Sequence, residues 1–444
     1  MIADLRMRPP MGWNSWNCFG VDVREADVRA TVDYVADHLR PYGWEYVVVD
    51  AGWYLAPGVT TANFKQPRPG QRIDVHGRLE PAPHKFPSSA GGQGFRPLAD
   101  YVHRRGLKFG LHIMRGIPWQ AVDADTPLHR STLTARQVAK PDDTCPWYQG
   151  MLGLQPGAGA LAYYRSLVEL YAQWEVDFVK ADDIAFPYHR EELAALSQAV
   201  QESPRPMLLS LSPGPAPVGE ADQLADSAHL WRISPDFWDD WRLLHRQFSL
   251  CRAWQGRAPV GRWPDCDMLP IGKLRITGPD DYSVSELGLG ADELTNEYSR
   301  FSPVEARSLF TLWAMFRSPL FLGGYLPEND AMTKSLVTHS EVIGINQEST
   351  QNREVYFDDA TSVWSAQSTC HSGRYLAVFN LLDPDGKRAH PVRWRDLGLS
   401  TGCQAREVWT GDRLFLDPAA LATGDVPPHG VRLYCLDTTA NVPT

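Results

Sequence analysis

Eight short apolar runs interleaved with stretches of helical periodicity constrain this chain more than any other feature. The runs are Met11 to Trp16, Trp44 to Asp50, Leu107 to Ile113, Asp177 to Asp182, Met207 to Ser212, Ala228 to Ile233, Asp265 to Met268 and Pro319 to Leu322. Helical patterns fall between them at Glu25 to Leu39, Pro97 to Arg105, Leu161 to Trp174, Glu191 to Gln201, Phe237 to Ala253 and Pro303 to Phe316. Strands joined by helical crossovers lie parallel, because each crossover carries the chain back over the sheet. Eight of them predict an α/β fold, a (β/α)8 TIM barrel rather than a doubly wound open sheet. No GxGxxG follows an early strand and no GxxxxGKS or GxxxxGKT occurs, so nucleotide phosphates have no cradle here.

Beyond Asn346-Gln347-Glu348 the texture changes. Short runs such as Val355 to Phe357, Ser362 to Trp364, Tyr375 to Phe379, Val392 to Trp394, Glu407 to Trp409 and Gly430 to Leu436 are separated by turn signals, among them Asp383-Pro384-Asp385-Gly386. This reads as a C-terminal antiparallel β-sandwich. The expected domains are therefore residues 1–347, the barrel, and 348–444, a β domain that supports it. A chain of 444 residues has room for both.

Net charge is −10, which disfavours nucleic acid and anionic membranes as partners. No apolar run approaches the roughly 20 residues of a membrane span, and Met1 to Arg8 lacks the apolar core of a secretory peptide. Seven scattered cysteines form no CxxC pair and no zinc-like cluster; they read as reduced thiols of a cytoplasmic protein. Homo-oligomerisation is left open.

Chemistry concentrates where the strands end. Val179-Lys180-Ala181-Asp182 places Lys180 and Asp182 on one face, since strand side chains alternate with period two. A salt-bridged strand end is the plain alternative, yet other strands finish alike. Strand two ends at Asp50, strand three carries Lys108, Gly110 and His112 on one face, strand six leads through Arg232 to Asp236, and strand seven brings Asp265 and Asp267. Two loops of about forty residues, Tyr54 to Gly94 and Arg115 to Gly157, follow strands two and three and suit a lid or binding wall on the face where barrel enzymes keep their sites. Carboxylates, Lys, Arg and Trp together fit a neutral polyhydroxylated ligand: carboxylates accept from sugar hydroxyls, cations donate, and indole covers the apolar ring face. Asp50, Asp182, Asp265 and Asp267 could instead hold a divalent metal. Lys180 and Arg232 on the same strand ends oppose that, so no metal and no cofactor are expected.

Read together, Pro10-Met11-Gly12-Trp13-Asn14-Ser15-Trp16, Asp50-x-x-Trp53, Gly106 to Gly110, Val176 to Asp182, Trp231-Arg232-x-x-x-Asp236 and Asp265-x-Asp267-Met268-Leu269 resemble the ordered motifs of glycoside hydrolase family 27. Leu312 to Leu320 and Val342 to Gln347 also match. That family contains α-galactosidases and α-N-acetylgalactosaminidases. The resemblance implies an exo-acting retaining hydrolase of an oligosaccharide or glycoside, with Asp182 as nucleophile and Asp236 as acid/base. Such a pair needs carboxyls about 5 to 5.5 Å apart. Asp236 before a helix would equally suit an N-cap.

By the same resemblance Trp16, Asp50, Lys180, Arg232 and Asp267 contact the terminal sugar, and Trp53, His112, Asp183 and Ser212 join the expected substrate set. Several positions depart from the family pattern. Ala51 stands where galactose-specific members have a second aspartate, His112 replaces a tyrosine, Asp183-Ile184 replaces a glycine and a cysteine, and Ser212 stands where galactosidases carry a glutamate. Terminal α-D-galactose is the expected substrate, with β-L-arabinopyranosides, which lack C6, and α-N-acetylgalactosaminides as alternatives. A catalytically silent glycan-binding barrel is the reading from another class.

Overall fold

A computed structural model describes residues 8–279, 281–370, 373–384, 392–422 and 426–436. The amino-terminal residues Met1 to Met7 and the turn residues Asp385 and Gly386 lie outside these. Eight parallel strands form one curled sheet: β1 (Met11–Asn14), β2 (Tyr46–Val49), β3 (Lys108–Met114), β4 (Phe178–Asp182), β5 (Leu208–Leu211), β6 (Leu230–Arg232), β7 (Trp263–Asp265) and β8 (Leu320–Leu322). Their order is β7-β6-β5-β4-β3-β2-β1-β8. The two edges meet just past β7, where Leu269 N donates to Phe321 O at 2.7 Å and the Leu269 carbonyl accepts from Gly323 N at 2.9 Å. This is the expected barrel.

Strand alternation builds two cores from one sheet. Tyr46, Val48, Phe178, Leu208, Leu230, Trp263 and Phe321 point inward and pack on one another, while Val47, Val49, Val179, Leu209 and Trp231 face the surrounding helices. Crowding inside the barrel explains Gly12, where a Cβ would come within 2.4 Å of the Tyr46 carbonyl oxygen. The same parity carries upward to the strand ends. Register pairs His112 with Lys180 and Lys180 with Ser210, so these polar side chains share the inward face with the apolar layer beneath them.

Most elements lie where periodicity puts them, with informative exceptions. The helix expected over Glu25 to Leu39 is α-helical only to Tyr34 and then widens into a π-turn, Val35–Leu39. Strand seven is Trp263–Asp265, not Asp265 to Met268, because Asp267 takes a left-handed φ of 83° that no strand continues through. The helix expected from Phe237 begins at Trp241 instead; Asp240 caps it by accepting from Arg242 N at 2.8 Å. Asp236 is therefore not a helix cap.

The insertion after β3 folds into a small three-stranded antiparallel sheet, Ile117–Pro118, Ala139–Thr144 and Met151–Leu154. Tyr148 from it packs against Tyr54 and Phe64 of the insertion after β2.

The C-terminal strands β9 (Ser349–Phe357), β10 (Thr361–Ser368), β11 (Arg374–Asn380), β12 (Cys403–Glu407), β13 (Arg413–Leu416) and β14 (Val431–Leu436) make an antiparallel sheet ordered β9-β10-β11-β14-β12-β13. One face, with Val363, Leu376, Val378 and Tyr434, has its own core. Alternate residues Trp364, Ala377, Phe379 and Leu433 join the barrel core, and Trp364 meets Phe316 edge-on at 6.0 Å. Val392 to Trp394, read as a strand, instead leads into a 3-10 turn, Trp394–Leu397. Among the described residues no helix is long and apolar enough to cross a membrane.

Candidate active site

The inward strand ends surround a cavity of about 460 Å³ whose lining includes Trp16, Asp50, His112, Lys180, Asp182, Ser212, Arg232 and Asp236. Eight side chains singled out in the sequence thus share one chamber. At its deep end Asp50 is 3% exposed. Its Oδ2 accepts from Lys180 Nζ at 2.8 Å and from Asn14 Nδ2 at 2.7 Å, and its Oδ1 accepts from Ala51 N at 2.8 Å. Burial pushes this carboxyl up, but the charge of Lys180 and then His112 holds it well below the usual carboxylate range. Lys180 rises in turn: burial opposes its charge, and Asp50 and Asp267 more than offset that.

Nearer the opening, Asp182 is 19% exposed. Its Oδ2 lies 3.3 Å from His112 Nε2, and its Oδ1 accepts from Ser212 Oγ at 3.1 Å and Asp183 N at 2.9 Å. Burial pushes Asp182 up, and the hydrogen bond and charge of His112, followed by the charge of Lys180, bring it below the ordinary value. Three hydrogen-bond partners thus hold Asp182 as a carboxylate facing the cavity. Lys180 does not bond to it directly; its hydrogen bond goes to Asp50.

Asp236 stands at the rim, 40% exposed, accepting from Arg232 Nη2 at 3.1 Å. Arg232 itself is buried, and its other arm pairs with Asp267 at 2.8 Å. Burial lowers the guanidinium, but Asp267, Asp236 and Asp265 raise it further. Strands β4 and β6 flank β5, so their axes lie roughly 9 to 10 Å apart, and Asp182 at the end of β4 and Asp236 in the loop after β6 line the same cavity.

Three expected substrate contacts do not reach the cavity. Trp53 is fully buried, its indole N–H donating to the His112 carbonyl at 2.8 Å and its ring wedged against Tyr54, Phe95 and Trp174. It braces β3 from behind. Asp183 has a left-handed φ of 56° that turns its carboxylate outward onto Arg115 at 2.9 Å. Burial, only partly offset by Arg115, pushes Asp183 up to about 7. Asp267 lies in a smaller pocket beneath the chamber, where it accepts from Phe237 N at 2.8 Å. It holds Arg232 and the Asp236 loop in place rather than facing the chamber.

The acidic strand ends do not gather as metal ligands either: Asp50 is taken by Lys180 and Asp267 by Arg232. Among the described residues, the one grouping at metal-like spacing is Asp143, His189 and Glu192. Arg115 donates to both carboxylates there, at 2.8 and 2.6 Å, which disfavours a cation. The seven cysteines form no disulfide, Cys251 and Cys266 lying 3.5 Å apart.

Sequence reasoning overlooked Asn14, although it sits two residues after Gly12 and so faces inward. It also passed over Phe186, which lines the mouth and carries no charge or motif to mark it.

Residues 8–121 and 149–293 match the family model described as Alpha galactosidase A, and residues 358–436 match the Alpha galactosidase C-terminal beta sandwich domain. The chain belongs to glycoside hydrolase family 27. This family member is 41% identical to the GH27 β-L-arabinopyranosidase of Geobacillus stearothermophilus, over 99% of this chain and 98% of that one, with a TM-score of 0.90. A single-site variant of the Geobacillus enzyme, solved with arabinose, superposes with a TM-score of 0.89 at 42% identity, over 98% of each chain. The α-galactosidase A of Cellvibrio japonicus is 28% identical over 85% of this chain and 77% of that protein. The α-galactosidase of Cyamopsis tetragonoloba is 26% identical over 97% of this chain and 87% of its own. The family 27 chain is accordingly a glycoside hydrolase, an enzyme acting on glycosides.

Proposed function

We propose that this glycoside hydrolase is exo-acting and retaining, and that it releases terminal sugars of galacto configuration, preferring β-L-arabinopyranosides to α-D-galactosides. The observation that carries the preference is the wall beside Asp50. There Ala51, Gly52, Val21 and Leu55 line the cavity, and none of their side chains can accept a hydrogen bond. A 6-hydroxyl directed at these four side chains would give up water without a replacement partner, which costs about 1 to 3 kcal/mol. A pentopyranoside has no such group. The likeness to the Geobacillus enzyme supports the same preference; the curated α-galactosidases favour the second reading, α-D-galactoside hydrolysis.

In the proposed reaction the sugar lies over Trp16 with its remote hydroxyls on Asp50 and Lys180. The Asp182 carboxylate attacks the anomeric carbon while Asp236 gives its proton to the departing oxygen. A glycosyl ester on Asp182 results. Asp236, now ionised, takes a proton from water, which attacks the anomeric carbon and frees Asp182. Two inversions return the original anomer. Residues 348–444 act as support, docking one sheet face on the Pro303–Phe316 helix and tying Glu354 to Arg252.

Relative kcat/KM values on 4-nitrophenyl β-L-arabinopyranoside, α-D-galactoside, α-N-acetylgalactosaminide and α-glucoside test the reading. The arabinopyranoside should lead, with the galactoside second. A galactoside preference would reverse the order of the two readings, and binding without turnover of any would leave only a glycan-binding barrel.

A further inference from the structure

We infer that Phe186 is an aglycone platform: the aromatic face on which the leaving part of the substrate rests, selecting aglycones that present a ring with an apolar face. The inference rests on the proposed cleavage between Asp182 and Asp236.

Exposure rises steadily along the cavity. It is 3%, 19% and 40% for the side chains of Asp50, Asp182 and Asp236, and 50% for Phe186 as a whole residue. Hydroxyl-binding groups therefore lie at the closed end, and the group that protonates the leaving oxygen lies toward solvent. Whatever hangs from that oxygen must extend past Asp236 into the mouth.

Backbone continuity puts Phe186 on the same side of the mouth. The segment before it is bonded to the end of β5, with Ile184 N donating to Ser212 O at 3.2 Å. Two residues on, Gly214 presses against the loop after β6 so closely that a Cβ there would lie 2.3 Å from the Ser234 carbonyl oxygen. That loop leads directly to Asp236. Phe186, Pro213, Pro215, Pro235 and Asp236 accordingly form one edge of the cavity.

A solitary exposed aromatic residue is ordinary on a protein surface. Val75, Val260, Tyr298, Phe357 and Phe415 are also exposed, but none of them lines the cavity. The Phe186 ring is not engaged by another ring or by a cation among the described residues, so its face is open to a ligand. Pyranose rings and aryl groups both offer the flat apolar surface that such a face takes up.

The test compares Phe186→Ala with the parent enzyme on three glycosides of the same terminal sugar: methyl, 4-nitrophenyl and a disaccharide. Taking the ratio of variant to parent for each substrate cancels leaving-group reactivity. Loss of a ring contact should lower kcat/KM about three- to ten-fold on ring-bearing aglycones and leave the methyl glycoside within about two-fold. Phe186→Tyr, which keeps the ring, should retain parent values. Loss confined to the nitrophenyl substrate assigns an aryl aglycone, and loss confined to the disaccharide assigns a sugar. Equal loss on all three, or none on any, overturns the inference while leaving the cleavage site standing. A parent enzyme that turns over no glycoside overturns the cleavage reading and this inference with it.

Discussion

His112 offers the sharpest test of how Asp182, the proposed nucleophile, is kept ionised. Asp182 Oδ2 is bonded by His112 Nε2 alone in the described protein, at 3.3 Å, whereas Oδ1 has two other donors. His112→Phe would preserve ring volume and strip Oδ2 of that donor. A hydrogen bond to an ionised group is worth about 1.5 to 3 kcal/mol, and 3.3 Å lies just beyond the usual N–H···O range, so the low end applies. At about 1.4 kcal/mol per factor of ten, about 1.5 kcal/mol corresponds to an about ten-fold weaker preference of Asp182 for its carboxylate form. Because the attacking form is the carboxylate and His112 favours that form, its removal moves the acid limb of the pH profile upward. The assay is kcat/KM for 4-nitrophenyl β-L-arabinopyranoside across the acid range, with circular dichroism to verify folding. His112→Gln, which retains an N–H donor, should shift the limb less. An acid limb that stays in place while the plateau falls, or one that moves to lower pH, would refute the reasoning.

Ala51→Asp adds an acceptor to the wall beside Asp50, and the ratio of α-galactoside to β-L-arabinopyranoside kcat/KM should rise about ten-fold or more; an unchanged ratio would place the 6-hydroxyl elsewhere. Asp236→Ala should cost about 10² to 10⁴ in kcat/KM on a methyl glycoside and far less on a dinitrophenyl glycoside, whose leaving group needs no proton; equal losses would remove Asp236 from the acid role. Arg115→Met strands Asp183 and Glu192 in the interior and should destabilise the protein by about 3 to 5 kcal/mol in denaturant unfolding. Burial already raises Asp183 to about 7, so its stabilising contribution is complete in acid, below its ordinary value, and fades as the pH rises through about 7. The Arg115→Met deficit should consequently be greater at neutral pH than in acid, and a deficit independent of pH would contradict that account.

The parity of strand side chains could be read directly from the chain. Tyr46 and Val48, Phe178 and Lys180, and Leu230 and Arg232 alternate with residues bound for the outer core, and that alternation carried Asp50, His112, Lys180 and Asp182 to one side. Local signals served equally well for the Pro303–Phe316 helix, whose Ser302, Pro303 and Glu305 form a complete cap. What could not be read depended on distant partners. Alternation turned Asp183 away from Lys180, but only the fold reveals Arg115, 68 residues earlier, waiting for it. Trp53 belongs to the substrate set that the resemblance implies, yet Phe95 and Trp174 enclose it. The left-handed turn at Asp267 ended β7 early and tucked that carboxylate beneath Arg232, a step that no propensity marks.

Trapping the glycosyl-enzyme would test the central claim most directly. In a 2-deoxy-2-fluoro-β-L-arabinopyranosyl donor the fluorine slows both displacements and a dinitrophenyl leaving group restores only the first, so the ester accumulates and can be mapped by proteolysis and mass spectrometry. The label is predicted on the peptide containing Asp182, specifically on that residue. A label on Asp236 or Asp50, or no adduct together with release of the inverted anomer from an ordinary substrate, would contradict the double displacement on which the account stands.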